Sequence, residues 1–461
     1  MTSVSSGSMK RQHAAGLPLA LLLRLAWRNL WRHRKRTLIT LTSIAIGFAM
    51  AVISIGIGDG SHNSMIRNAI TLGEGHLAIQ PKGYLEAPSN SLMIADGKGL
   101  TDQLQHPLKA LAQQGIQVSA IPRISLQLLA STANNSVGVG LESVSGQAED
   151  PRSEQLRKGL IVGDWLSEEQ ENGIVLGQAL ANKLKVRLGS KVVLMAGTQG
   201  GDTTAQLGRV RGIFQTGMDD LDSYLILAPL ELGRLFLKAE LTATGAQIET
   251  KTKTEIEAET AQPLTRIALF VLPAGAADQA QLLLNKAMNS SLNSRQLALL
   301  DWQTLMPDLV QFVALDDAGN YVFLLLILIM VLFGIINTVL MSVLERTREF
   351  GLLRALGLAR IQLMLLVCAE AFLLSVLALL FGWLLGGGLH LVLSANGLDL
   401  SGMMGDSTAI MGTYMDPVIR PELSLNRIVQ LSGGIFLVTL LSGLYPAIKA
   451  SRVAPVDALK T

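Results

Sequence analysis

Four stretches of this chain are too long and too apolar to belong to an ordinary water-soluble fold. An α-helix needs about 20 apolar residues to cross the hydrocarbon core of a bilayer. The runs 37–57, 321–344, 363–385 and 428–445 approach or exceed that length, and only Glu370 among them carries a charge. They are read as four spans, at 37–58, 319–344, 362–387 and 426–446. Charged residues make up only 16% of the chain, against about 25% in soluble domains. The expected fold class is therefore an α-helical membrane protein with four transmembrane helices in a one-plus-three layout, carrying a large mixed α/β extracytoplasmic domain at 59–318.

The distribution of charge orients the spans. Residues 1–36 hold eight basic residues and no acidic one, while 59–318 hold 21 basic and 28 acidic residues. Short loops rich in Lys and Arg stay in the cytoplasm, whereas large domains translocate whatever their charge. Arg24, Arg28, Arg32, Arg34, Lys35 and Arg36 precede the first span. Arg346, Arg348, Arg354 and Arg360 follow the second, and Lys449 and Arg452 follow the fourth. This places 1–36, 345–361 and 447–461 in the cytoplasm, with 59–318 and the loop 388–425 outside. Within the N-terminal segment, 17–31 reads as an amphipathic helix lying in the membrane interface. Arg24, Arg28 and Arg32 recur at helical spacing, and Trp27 and Trp31 stand one turn apart. The alternative is a merely basic tail. A signal peptide is not expected, because Arg24 interrupts the apolar stretch and no small-residue cleavage site follows.

In 59–318, strands are expected at 76–80, 116–121, 136–141, 191–195, 210–214 and 224–227, where β-branched apolar runs are bounded by turn residues. Helical periodicity predicts helices at 177–186, 229–238 and 278–288. About 260 residues suffice for two subdomains, and the polar stretch 249–261 is a candidate excursion.

Familiar catalytic patterns are missing from the sequence. There is no Gly-x-x-x-x-Gly-Lys-Ser/Thr phosphate loop and no His-Glu-x-x-His pair. Cys368 is the only cysteine, which excludes an internal disulfide. Asp219, Asp220 and Asp222 read as a solvated turn, with a calcium site as the alternative. No catalytic, metal-binding or cofactor-binding residue is expected, and no nucleic-acid partner.

Three motifs carry a family resemblance. Glu345-Arg-Thr-Arg-Glu-Phe-Gly-Leu-Leu-Arg-Ala-Leu-Gly357 resembles the signature that follows the second span in MacB/FtsX/LolC-type ABC permeases. Leu25-Ala-Trp-Arg-Asn-Leu-Trp-Arg32 and the ending Tyr445-Pro-Ala-Ile-Lys-Ala-Ser-Arg-Val-Ala-Pro-Val-Asp-Ala-Leu459 are similar to the same family's opening and close. Within the family the chain looks more like the lipoprotein-releasing permeases. The resemblance implies a non-catalytic permease of a Gram-negative inner membrane that works by mechanotransmission. ATP and magnesium would be held by a cytoplasmic ATPase dimer. The other implied partners are a second permease (the same chain or a paralogue), membrane lipids and a periplasmic lipoprotein carrier. Extraction of a lipoprotein or lipid-like substrate from the outer leaflet is the leading expectation. MacB-like efflux of peptides or drugs and FtsX-like signalling to a periplasmic hydrolase are the alternatives.

The 345–361 segment then becomes a coupling helix, with Glu345, Arg346, Glu349, Phe350, Gly351, Arg354 and Gly357 as its candidate residues. Leu344, Phe350, Leu353 and Leu356 would supply its apolar anchor. Arg346 and Glu349 stand at i, i+3 and can pair. Glu370, an acid inside a span, is either functional or a hydrogen-bonded grip between helices. Asn337 is expected as interhelical glue. Gly382 and Gly386 form a small-xxx-small pair for close helix packing, at a seam between two copies in one version.

Overall fold

A computed structural model describes residues 19–32, 34–73, 75–144, 150–167, 172–245, 262–356, 358–404, 409–410, 413–414 and 418–452. It divides into two compact units. One contains 1–61, 315–398 and 418–461, and the other contains 62–314 and 399–417. The excursion expected at 249–261 lies outside the described residues.

Among the described residues, four helices are long and apolar enough to cross a membrane: Arg34–Leu72, Pro307–Glu345, Arg360–Asn396 and Leu425–Ser451. The expected spans fall inside them. The first two have 39 residues each, or roughly 58 Å at 1.5 Å per residue, well beyond a hydrocarbon core of about 30 Å. The third passes through a π-helical turn at Trp383–Gly387 before Gly388–Asn396.

The helical unit has a core because each span turns one apolar stripe inward. Ile44, Phe48 and Val52 of the first span meet Ile327, Val331 and Ile335 of the second, Leu374 and Ala378 of the third, and Leu431 and Ile435 of the fourth. Phe48 meets the Trp383 ring edge-to-face at 5.4 Å, and Trp383 Nε1 donates to Ser432 Oγ at 2.9 Å. The N-terminal helix Leu19–Arg32 docks Leu22 and Ala26 on Leu366 of the third span. Trp27 and Trp31 remain exposed on its outer face, 5.9 Å apart.

The other unit is built on ten strands: β1 (Leu77–Pro81), β2 (Gln117–Ser131), β3 (Ser136–Val144), β4 (Leu160–Gly163), β5 (Gly173–Gly177), β6 (Lys191–Gly197), β7 (Thr203–Phe214), β8 (Leu225–Pro229), β9 (Arg266–Leu272) and β10 (Leu297–Asp301). Their order is β10-β1-β9-β2-β3-β8-β5-β7-β4, with β6 joining β2 to β7. The 15-residue β2 is the hinge of this arrangement. Its residues 117–123 pair with β9 and 124–131 with β3. Helices Gly97–Gln113 and Ala277–Ser294 pack together, the first on β2 and the second on β10 and β9, and Leu230–Gly245 covers β2 and β3. The two subdomains expected from length share one core, which runs without a break from Leu77 and Leu299 to Leu194 and Leu237. The physical reason is β2, which is long enough to belong to both halves.

Candidate functional site

The second span ends at Glu345, and the backbone breaks at Arg346 before a short helix at Thr347–Ala355. That helix is shorter than the expected 345–361, and Gly357 lies outside the described residues. Phe350 fixes its position. The ring is buried among Val343, Leu363, Val367, Ala447 and Ala450, and the Arg346 guanidinium lies 5.1 Å from its centroid. Arg346 is thereby turned inward. Its Nη1 donates to Glu370 Oε1 at 3.0 Å and its Nε to Glu349 Oε2 at 3.2 Å.

The network continues outward from this pair. Asn29 Nδ2 donates to Glu370 Oε1 at 2.7 Å, and Glu349 Oε1 takes Arg32 Nη1 at 2.7 Å. Arg36 grips Glu345 with both terminal nitrogens, one at 2.6 Å. Five segments meet here: the N-terminal helix, the start of the first span, the end of the second, the short helix and the third span. The Arg346 and Glu370 side chains are 8% and 18% exposed. A charge so far from water is tolerated when it is paired and hydrogen-bonded, and here each is held at more than one atom. Among the described residues, the arrangement joins the short helix to the third span through Arg346 and Glu370 and to the N-terminal helix through Glu349 and Arg32.

A family model described as MacB-like periplasmic core domain matches residues 37–268, and one described as FtsX-like permease C-terminal matches residues 321–455. The chain belongs to the MacB/FtsX permease family. The macrolide export ATP-binding/permease protein MacB of Wolinella succinogenes is 24% identical over 445 residues, covering 95% of this chain and 60% of that protein. The lipoprotein-releasing system transmembrane protein LolE of Haemophilus influenzae is 23% identical over 450 residues, covering 95% of this chain and 98% of that one. This permease thus spans only about 60% of the length of its MacB relatives. The solved periplasmic region of MacB from Actinobacillus actinomycetemcomitans aligns at 16% identity with a TM-score of 0.30, covering 53% of this chain and 96% of that one.

The remaining expected residues of the permease fall as follows. Gly351 is buried and Arg354 half-buried. Of the expected apolar anchor, Phe350 is buried and Leu353 packs against the same cluster. Leu344 and Leu356 are exposed instead: Leu344 lies in the last turn of the second span, and Leu356 caps the short helix at its C-terminal end. Asn337 is exposed on the second span and bonds no described residue. A Cβ on Gly382 would stand 2.5 Å from Phe48 Cδ1, and one on Gly386 would stand 2.7 Å from Ala49 Cα. Both glycines therefore let the first span approach the third within one chain, rather than lining a seam between copies. Asp222 is no solvated turn residue. It is buried and takes hydrogen bonds from the Thr216 amide, the Thr216 hydroxyl and the Gly217 amide. Burial pushes its carboxyl above the usual range in spite of these bonds. Among the described residues, no group of three or more His, Cys, Asp and Glu side chains could hold a metal.

One cluster has no counterpart in the sequence reading. At the opposite end of the same helices, Ser424 caps the fourth span by accepting from the Arg427 amide at 3.3 Å. This aims the Arg427 side chain at the first and second spans. Its guanidinium reaches Asp59 Oδ2 at 3.2 Å, Asp317 Oδ1 at 3.0 Å and the Tyr321 hydroxyl at 2.6 Å. The helical unit is thus tied at both ends by an arginine shared between spans. Each Arg427 partner lies within a turn or two of a span end, where charged and aromatic residues are ordinary, so the sequence held no signal that set them apart.

Proposed function

We propose that this chain is the membrane-spanning subunit of an ATP-driven ABC transporter that works by mechanotransmission. The observation that carries the reading is the Arg346 network, which ties the short helix Thr347–Ala355 to the N-terminal helix and to the third span at once. A partner ATPase dimer, holding ATP and magnesium, docks on the outward face of that helix, where Leu352, Ala355, Leu356 and Arg348 are exposed. Closure of the ATPases displaces the helix. Arg346 passes the displacement to Glu370, and Glu349 passes it to Arg32. The end bearing Arg346 is cytoplasmic in this account, the ten-stranded domain is periplasmic, and the membrane is the inner membrane of a Gram-negative cell.

The substrate in this reading is a lipoprotein or lipid-like molecule, drawn from the outer leaflet and passed to a periplasmic lipoprotein carrier. The match along nearly the full length of LolE supports it. A second permease completes the assembly, and the exposed carboxamide of Asn337 is a polar group that such a neighbour can satisfy. Efflux of peptides or drugs with an outer-membrane partner is the second reading, favoured by the MacB-like match over 37–268. Depletion of the chain in its native cell separates the two. The first reading expects lipoproteins to accumulate in the inner membrane. Normal lipoprotein sorting together with lost drug or peptide resistance would replace it by the second.

A further inference from the structure

The N-terminal helix Leu19–Arg32 has two faces with different surroundings. The inward face is packed by the protein itself. Leu22 and Ala26 sit on Leu366, and Asn29 donates to Glu370 at 2.7 Å. The outward face carries two rows of large side chains, since residues four apart on a helix stand one above the other. Arg24, Arg28 and Arg32 form one row, Trp27 and Trp31 form the row beside it, and all five are exposed. The two indole rings are 5.9 Å apart, and the stripe from Arg24 to Trp31 is about 10 Å long.

Three features of this stripe point to an anionic lipid. The first is its charge. Arg32 reaches Glu349 at 2.7 Å, whereas the guanidiniums of Arg24 and Arg28 bond no described residue. No acidic residue precedes Asp59 in the chain, so no neighbour in sequence offsets them. Arg34 and Lys35 add two more exposed cations one turn further on. The second feature is the tryptophan row. Large rings left in water forfeit hydrophobic free energy, but at a bilayer surface an indole puts its apolar body among the first methylenes and its N–H among the headgroups. The third is position. Leu366, beneath the helix, stands about 9 Å inside the third-span helix that begins at Arg360, and Trp31 lies one turn before the first long helix begins at Arg34. The stripe is therefore at the end of the bundle, where hydrocarbon gives way to headgroups.

We propose that Arg24 and Arg28, with Trp27 and Trp31 beside them, bind the headgroup of an anionic phospholipid. The planar guanidinium forks match phosphate oxygens, and the indoles cover the glycerol and the first methylenes of an acyl chain. A zwitterionic headgroup brings a cation of its own, which the arginine row repels. The bound lipid holds from outside the same helix that meets Glu370 and Glu349 from inside. The inference rests on the membrane-spanning reading of the four long helices and not on the ATP-driven cycle, so it stands or falls apart from the choice of substrate.

The test uses the full chain in phosphatidylcholine nanodiscs, into which acyl-brominated phosphatidylglycerol or acyl-brominated phosphatidylcholine is mixed in rising fraction. Bromine quenches nearby indoles, and subtraction of the Trp27→Phe/Trp31→Phe variant isolates the two rings of the stripe. Half-maximal quenching is expected at a mole fraction about tenfold or more lower for phosphatidylglycerol, since each basic residue near an anionic surface is worth about fivefold in affinity. Arg28→Gln should reduce that preference about fivefold, and Arg24→Gln/Arg28→Gln should abolish it. Both side chains are exposed, so the fold survives their loss. Lys449→Gln removes one exposed cation from the fourth span's last turn and should leave the preference unchanged. The proposal is overturned by equal half-points for the two lipids, by an undiminished preference in the double arginine variant, or by a loss in Lys449→Gln as large as in Arg28→Gln.

Discussion

Replacing Arg346 and Glu370 by leucine, singly and together, measures how tightly the short helix is joined to the third span. Removing one partner of a buried ion pair costs about 3–5 kcal/mol, while replacing both by apolar groups is often close to neutral. The local geometry moderates these figures unequally. Without Glu370, Arg346 keeps Glu349 at 3.2 Å, a residue partly in water, so Glu370→Leu should cost about 2 kcal/mol. Without Arg346, Glu370 retains only the Asn29 bond among those described here, and Arg346→Leu should cost about 3 kcal/mol or slightly more. The double variant leaves Glu349 with Arg32 and Asn29 without its acceptor, a loss of about 2–3 kcal/mol in all. The two single changes should therefore overlap by about 2–3 kcal/mol rather than add. Equilibrium unfolding of the purified chain in mixed micelles, titrated with dodecyl sulfate and followed by tryptophan fluorescence, gives the four values of the cycle. Additivity to within about 0.5 kcal/mol would refute the reasoning, because it would mean that the two side chains do not share an interaction.

Three further outcomes follow from other parts of the molecule. Gly386→Ala puts a methyl group 2.7 Å from Ala49 Cα and should cost about 1–3 kcal/mol as an overpacked core does; a variant as stable as the original would show that the spans are not closely apposed there. Burial pushes Glu142 up, but Arg152 and Arg266 hold it below its ordinary carboxylate range in the folded state, so its contribution is present above the unfolded value of about 4.3 and is lost as pH falls through the lower folded value. Thermal stability of the original chain should then drop more steeply in acid than that of Glu142→Gln, and parallel curves would contradict the assignment. A cysteine at position 200 should react with an impermeant maleimide added to spheroplasts while one at Thr347 should not, and the reverse pattern would invert the proposed orientation.

The helical architecture was legible because lipid imposes a blunt rule, about 20 apolar residues in a row. The strands were legible where one face met solvent or a β-branched run was bounded by turns, as at Ser136–Val144 and Lys191–Gly197. Arg266–Leu272 escaped because most of its residues are buried on both faces of the sheet. Such a strand reads as a plain apolar run without alternation, ambiguous between strand and buried helix. Glu370 stood out as a lone acid in a span, and its partner Asn29 could not be inferred from a position 341 residues away. The i, i+3 spacing announced Arg346 and Glu349, whereas Arg32 joins them only through tertiary packing of the N-terminal helix. Gly382 and Gly386 signalled close approach, but a pair of small residues does not name the helix that approaches.

The central claim is that ATP hydrolysed by a partner drives this chain to release a lipidated substrate from the membrane. Reconstitution in proteoliposomes tests it most directly, with the permease, its co-expressed ATP-binding subunit and a fluorescent lipoprotein, measuring transfer to a soluble carrier. Transfer is expected only when permease, ATPase and hydrolysable ATP are all present, with little in Arg346→Leu even where the complex assembles. Transfer that proceeds without nucleotide, or ATP turnover that leaves every lipoprotein in the membrane, would contradict the account.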